Sequence, residues 1–231
     1  MRRKPIHTLA FEDLSFGYDG VPQLFSEITF QMPTSRAVWV RSPGGRGKST
    51  LLRLLAGLLA PQSGRYLING ENVGDMSFED FLAYRLSIGY GFDLGGLLNN
   101  KTVFENLILP LQYHKLMDLE EANDRVNQAI EMFGMSQIQH LRPHSIPGSQ
   151  RKLTCVVRSF LHWPQVVFLD DPMTGLKEDN LNDLYYFVEE SFATRGLKQL
   201  YFTAENPAFA SRLKAEELLI SGDWFTTRAV A

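Results

Sequence analysis

The chain has 231 residues, 44% hydrophobic and 21% charged, which is enough to bury a large core with the composition of a globular protein. A formal net charge of −3 argues against a protein that coats nucleic acid, so no nucleic-acid partner is expected. No uninterrupted apolar stretch approaches the ~20 residues of a membrane-spanning helix, and the basic start Arg2-Arg3-Lys4 lacks the apolar segment of a signal peptide.

Residues 7–18 and 24–32 alternate apolar and polar side chains around a turn at 17–22, which predicts antiparallel strands with Tyr18 at the end of the first. The apolar run 37–40 reads as a buried parallel strand, and the leucines of 51–56 as a helix. Between them stands Ser42-Pro43-Gly44-Gly45-Arg46-Gly47-Lys48-Ser49-Thr50. Strand, glycine-rich turn, Lys-Ser and helix is the layout in which backbone N–H groups cradle phosphate oxygens and the helix N-terminus adds its positive dipole end. There Lys48 would reach the β- and γ-phosphates, and Ser49 would ligate Mg²⁺. The strict pattern has glycine where Ser42 stands. A glycine turn with no ligand is the alternative, and it requires Gly-x-Gly-Lys-Ser-Thr to fall between those two elements by coincidence.

Further along, a turn at 61–64 precedes a short strand at 66–70, a helix over 77–84 capped by Ser77, and a strand over 86–92. A loop rich in Gly and Asn follows at 93–100. Residues 102–116 have near-helical spacing with Pro110 expected to kink them. The clearest helix is 118–134, with Ala122, Val126, Ala129, Ile130 and Phe133 on one face and Glu121 paired to Arg125 on the other. A loop at 143–148 leads into a helix over 150–161 that holds Cys155, the single cysteine, read as a buried thiol. The five histidines show no metal-ligand spacing, since Pro143 interrupts any helix joining His140 to His144. Residues 165–169 form an apolar run that stops at Asp170-Asp171-Pro172, a buried strand delivering carboxylates where ligands bind in open α/β sheets. A helix over 178–194, a strand over 199–203, a helix over 207–213 and two short strands complete the chain.

The order of these motifs resembles that of the ATP-binding subunits of ABC transporters over essentially the whole length. The resemblance implies an α/β fold: a P-loop RecA-like ATPase core with an N-terminal antiparallel β subdomain (7–93 and 151–231) and a helical subdomain inserted at 94–150. It implies ATP and Mg²⁺ as cofactors. It also implies a membrane permease subunit and a second ATPase subunit, identical or different, as partners, so that the chain sits in the cytoplasm against the inner face of the membrane. Within the resemblance Tyr18 looks like the aromatic that stacks on adenine. Ser42, Gly44, Gly45, Arg46, Gly47, Lys48, Ser49 and Thr50 look like the phosphate clamp. Ser49 and Asp170 look like the metal shell, Asp171 stands at the general base, and Asp93 replaces the Q-loop glutamine.

The departures concern hydrolysis. The family's general base is a glutamate, and here that position is Asp171, one methylene shorter; a misplacement of about 1 Å can cost ~100-fold. The switch histidine falls at Ala204, and losing one transition-state donor costs on the order of 10²–10³-fold. The signature Leu-Ser-Gly-Gly-Gln reads Ile146-Pro147-Gly148-Ser149-Gln150, and Pro147 has neither hydroxyl nor N–H. Lys177 stands where the D-loop acid is expected. Two functions remain open: an ATPase subunit that drives transport, or a nucleotide-binding subunit that regulates or supports without significant hydrolysis. The stretch 95–111, with Thr102-Val103-Phe104-Glu105-Asn106 and Pro110-Leu111, is similar to that of Mla-like lipid-trafficking ATPases. A lipoprotein-release or efflux ATPase is the second candidate. Phe92, Leu97 and Leu98 are expected either to meet the permease or to pack the insertion.

Overall fold

The computed structural model describes residues 3–93 and 96–229. The expected subdomain boundary at residue 94 lies outside them. Strand β1 (Leu9–Phe16) pairs antiparallel with β2 (Phe25–Gln31) and β4 (Ser63–Ile68), and β5 (Glu71–Asn72) completes a four-stranded sheet ordered β2-β1-β4-β5. The second sheet contains β3 (Ala37–Arg41), β6 (Ile88–Gly91), β7 (Val166–Leu169), β8 (Gln199–Thr203), β9 (Glu216–Ile220) and β10 (Phe225–Ala229). Its order is β10-β9-β3-β8-β7-β6, parallel except for β10.

Seven α-helices surround the sheets among the described residues: α1 (Lys48–Leu55), α2 (Phe78–Arg85), α3 (Val103–Tyr113), α4 (Leu119–Met132), α5 (Gly148–Phe160), α6 (Glu178–Thr194) and α7 (Ala208–Arg212). Two hydrophobic clusters meet across the parallel sheet. Val38 and Val40 of β3 join the α1 leucines and the antiparallel sheet, while Ala37 and Trp39 join α3, α4, α5 and α6. Burial on both faces explains why β3 is apolar until Arg41, since each buried Val or Leu contributes about 1.5–3 kcal/mol.

Several ends differ from expectation. Helix α1 starts at Lys48 rather than 51, because its first turn is polar and invisible to an apolar pattern. Strand β4 begins at Ser63, inside the expected turn, because Ser63 pairs with Ser15. Helix α3 runs through Pro110 but stops at Tyr113, and its capping box uses Thr102 and Glu105. Helix α5 starts two residues early, at Gly148. Glu121 and Arg125 pair at 2.7 Å, and Cys155 is buried in α5.

Gly89 sets how closely β6 and α5 approach. A Cβ there would lie 2.1 Å from the Ser159 carbonyl oxygen, so no other residue fits. Next to this contact His162 is buried, and its Nε2–H donates to the Ile88 carbonyl at 3.0 Å. Burial pushes its imidazole down to about 4, and the positive charges of Arg3, His114 and Arg85 act in the same direction. The unfolded chain therefore takes up this proton first. The stabilising effect of a neutral His162 is complete above pH 6.5 and is lost as the pH falls towards about 4. At about 1.4 kcal/mol per pH unit, the loss reaches roughly 3 kcal/mol. Denaturant midpoints between pH 7 and 4 should fall less steeply for His162→Gln than for the wild type. Equal slopes would rule this linkage out.

Candidate functional site

The parallel strands deliver their C-terminal ends to one edge, and every catalytic and phosphate-binding residue expected from the sequence lies near it. Past β3 the chain turns through residues 42–47, where Gly45 and Gly47 have φ of +68° and +89°. A side chain at Gly47 would also come within 3.0 Å of the Phe25 ring, so glycine is required there twice over. The loop is closed by the Gly45 N–H donating to the Ser42 carbonyl at 3.0 Å. Ser42 thus contributes through its backbone, and Gly44 and Arg46 are exposed. The Lys48 ammonium curls back to the Gly45 carbonyl at a long 3.4 Å.

Tyr18 stands beside this loop, 42% exposed, with its hydroxyl 3.1 Å from Thr50 Oγ1 and its ring edge-on to Phe16. The bond fixes the ring's distance from α1 while leaving much of the side chain open to solvent.

Opposite the loop, Asp170 follows β7 and is 4% exposed. Its Oδ1 accepts from Ser49 Oγ at 2.9 Å and from Thr203 Oγ1 at 3.1 Å. Burial raises the pKa of this carboxyl above the usual carboxylate range. The Ser49 and Thr203 hydrogen bonds oppose that rise, and the nearby charge of Asp93 adds to it. No lysine or arginine pairs with Asp170 among the described residues. A buried carboxyl with no ion-pair partner among the described residues, touching a serine hydroxyl beside an open loop, is a set of hard oxygen donors that fits Mg²⁺.

Asp171 lies next in the chain with a left-handed φ of +46°, unusual for a non-glycine residue. Its N–H donates to Thr203 Oγ1 at 2.7 Å, and its Oδ1 accepts from the Thr174 hydroxyl at 2.9 Å. The buried Lys152 of α5 donates to the Asp171 carbonyl at 2.8 Å and to Asp93 Oδ1 at 2.6 Å, and stands 3.6 Å from Asp171 Oδ2. Asp93 and Asp171, which follow β6 and β7, are therefore joined through one ammonium.

Among the departures, Ala204 is buried after β8 with a methyl side chain that cannot donate, and its carbonyl accepts from Trp39 Nε1 at 3.1 Å. Pro147 precedes α5 and makes no side-chain cap, and Lys177 occupies the equivalent place before α6. Phe92 lines a groove with Tyr90, Pro110 and Tyr113, whereas Leu97 faces the hollow of Asp93 and Ser149 on another side. The sequence reading missed Lys152 and Thr203. The available signal for Lys152 was a charge immediately preceding the mostly apolar stretch 153–157. For Thr203 it was a hydroxyl ending a buried strand.

A sequence profile described as ABC transporter matches residues 25–174. The chain is 31% identical over 214 residues to the nickel import ATP-binding protein NikO of Rhodobacter capsulatus, covering 89% of this chain and 83% of NikO. It is 25% identical over 211 residues to the intermembrane phospholipid transport system ATP-binding protein MlaF of Escherichia coli K12, covering 91% of this chain and 78% of MlaF. Among solved structures, the dimeric post-hydrolysis state of the ATP-binding cassette MJ0796 with ADP and Pi superposes with a TM-score of 0.83 at 18% identity, over 96% of this chain and 99% of that one. At that identity the likeness bears on the fold alone.

Proposed function

This chain belongs to the family of ABC transporter ATP-binding domains, and we propose that it is the subunit that couples ATP binding to movement of a substrate by a membrane permease. The observation that carries the reading is the Ser49–Asp170 contact at 2.9 Å beneath the open Gly-x-Gly-Lys loop. Residues 44–50 and Lys48 would hold the phosphates, and Tyr18 would lie against the adenine. Ser49 and Asp170 would hold Mg²⁺, which when bound offsets charge on the β- and γ-phosphates. In this reading residues 7–93 and 151–231 form the core with its β subdomain, and 94–150 the helical subdomain.

The groove between α2, α3 and α5 is the proposed seat of the permease. It has a volume of about 410 Å³ and is lined by Leu58, Arg85, Ile88, Tyr90, Pro110 and Tyr113. No helix among the described residues is long and apolar enough to cross a membrane, so attachment would run through that partner. The chain would work as a dimer with a copy of itself or with a second ATPase subunit. Similarity to MlaF and the 95–111 stretch support a lipid as the cargo.

A second reading, a nucleotide-binding subunit with no significant hydrolysis, is favoured by one specific observation: the Asp171 carboxylate is already bonded within the chain. Gentle detergent extraction of the native complex tests the function. We expect the chain to come out with a multi-span membrane protein and bound lipid, and the complex to bind Mg-ATP. A chain that stays in the aqueous fraction alone would overturn the proposal.

A further inference from the structure

We infer that Lys152 is a positioning residue that holds Asp171 away from its base function and so keeps hydrolysis slow. This rests on the P-loop being an ATP site, as proposed above. The Lys152 ammonium is buried between two carboxylates and a carbonyl drawn from two different loops, with Asp93 Oδ1 at 2.6 Å, the Asp171 carbonyl at 2.8 Å and Asp171 Oδ2 at 3.6 Å. Position 171 is left-handed, a region that aspartate enters more readily than most residues and that six other described non-glycine positions also adopt, and three neighbours hold it there. Those neighbours are Thr203 on its N–H, Lys152 on its carbonyl, and Thr174 on its carboxylate.

In hydrolysis the water oxygen forms a bond to the γ-phosphorus, and the bond from that phosphorus to the β,γ-bridging oxygen breaks, leaving ADP and inorganic phosphate. The water's proton must pass to a base, and a carboxylate serves only through a lone pair turned to that water. Here Oδ1 accepts from the Thr174 hydroxyl and Oδ2 lies 3.6 Å from the Lys152 ammonium, so these two partners set the carboxylate's orientation and the lysine offsets its charge. Lys152 sits on α5, immediately after the signature turn, so the hold is built into the helix that would face a partner's nucleotide. The short side chain of Asp171 and the clamp on it would therefore act together.

Single-turnover hydrolysis of radiolabelled Mg-ATP separates the possibilities. Lys152→Gln removes the charge 3.6 Å from Asp171 Oδ2 and the charged hydrogen bond to the Asp171 carbonyl, and should raise the rate on the order of tenfold. Its ATP affinity should not change, because among the described residues Lys152 hydrogen-bonds to Asp93 and Asp171 and not to the P-loop, and Lys152→Arg should return the rate towards the wild-type value. Lys152→Met, whose straight chain fills the same buried space, repeats the test if the glutamine variant does not fold. A rate equal to or below wild type in a folded variant would overturn the inference. So would unfolding of both variants, which would make Lys152 a stability residue, and so would undetectable hydrolysis in all proteins. Fluorescence titration with a trinitrophenyl-ATP probe on the wild type keeps the two claims apart: absence of binding there would defeat the ATP-site reading.

Discussion

Lys48→Ala should weaken Mg-ATP binding by about 100-fold while leaving the fold intact. The Lys48 ammonium makes one long contact, 3.4 Å to the Gly45 carbonyl, and pairs with no carboxylate among the described residues. Its charge is therefore uncommitted until an anion arrives. A charge-assisted hydrogen bond is worth about 1.5–3 kcal/mol, and ~2.7 kcal/mol corresponds to 100-fold in affinity. The side chain is partly exposed at the first residue of α1, where alanine is a good helix former, so little stability is lost. Titration calorimetry on both proteins gives the ratio, with thermal unfolding as the control. If Lys48→Ala binds as tightly as wild type, the loop is a structural turn, with Gly45 serving only its positive φ and Gly47 that and the packing against Phe25.

How much of this site was legible in the sequence depended on whether its signal was local. The P-loop was readable because strand, turn and helix follow one another within about twenty residues, and glycine takes the positive φ at 45 and 47 without steric cost. Asp170 was readable because a fully apolar run that stops at an acid marks a buried strand emerging at the polar edge of its sheet. The ends of α1 and α5 were not, since both begin with polar or small residues that the apolar period cannot register. The clamp at Lys152 was out of reach for a different reason. Its partners are 59 and 19 residues away in the chain, and only the assembly of β6, β7 and α5 brings them within 3 Å. A basic residue in a helix is usually read as exposed, and burying one demands partners that a single sequence does not identify. Two of the departures look different with the structure in view. Ser42 serves through its backbone, so its side chain costs the loop nothing that glycine would supply by hydrogen bonding. Asp93, by contrast, is engaged by Lys152, so the change from glutamine there belongs with the change at residue 171.

That pairing shapes what restoring the lost groups should do. Asp171→Glu together with Ala204→His should raise steady-state ATP turnover on the order of 100-fold, with ATP affinity unchanged because the P-loop is untouched. The glutamate extends the carboxylate by about 1 Å, a displacement that can be worth ~100-fold in a positioned reaction. It also carries the carboxylate beyond the Thr174 hydroxyl that holds Asp171 Oδ1 at 2.9 Å. A histidine at 204 supplies a donor where the chain now has only a methyl group, and such a donor contributes on the order of 10²–10³-fold. The two gains should not multiply in full, because groups that act on one transition state are not independent. Lys152 also remains beside residue 171, so part of the clamp survives the change. The triple variant that adds Lys152→Gln should therefore exceed the double. Coupled-enzyme assays on wild type, double and triple variants, each checked for folding, give the series. A double variant no faster than wild type would mean that Asp171 and Ala204 do not limit turnover. The weight would then move to Pro147 and the signature turn, where the chain lacks the hydroxyl and N–H that a partner's nucleotide would need.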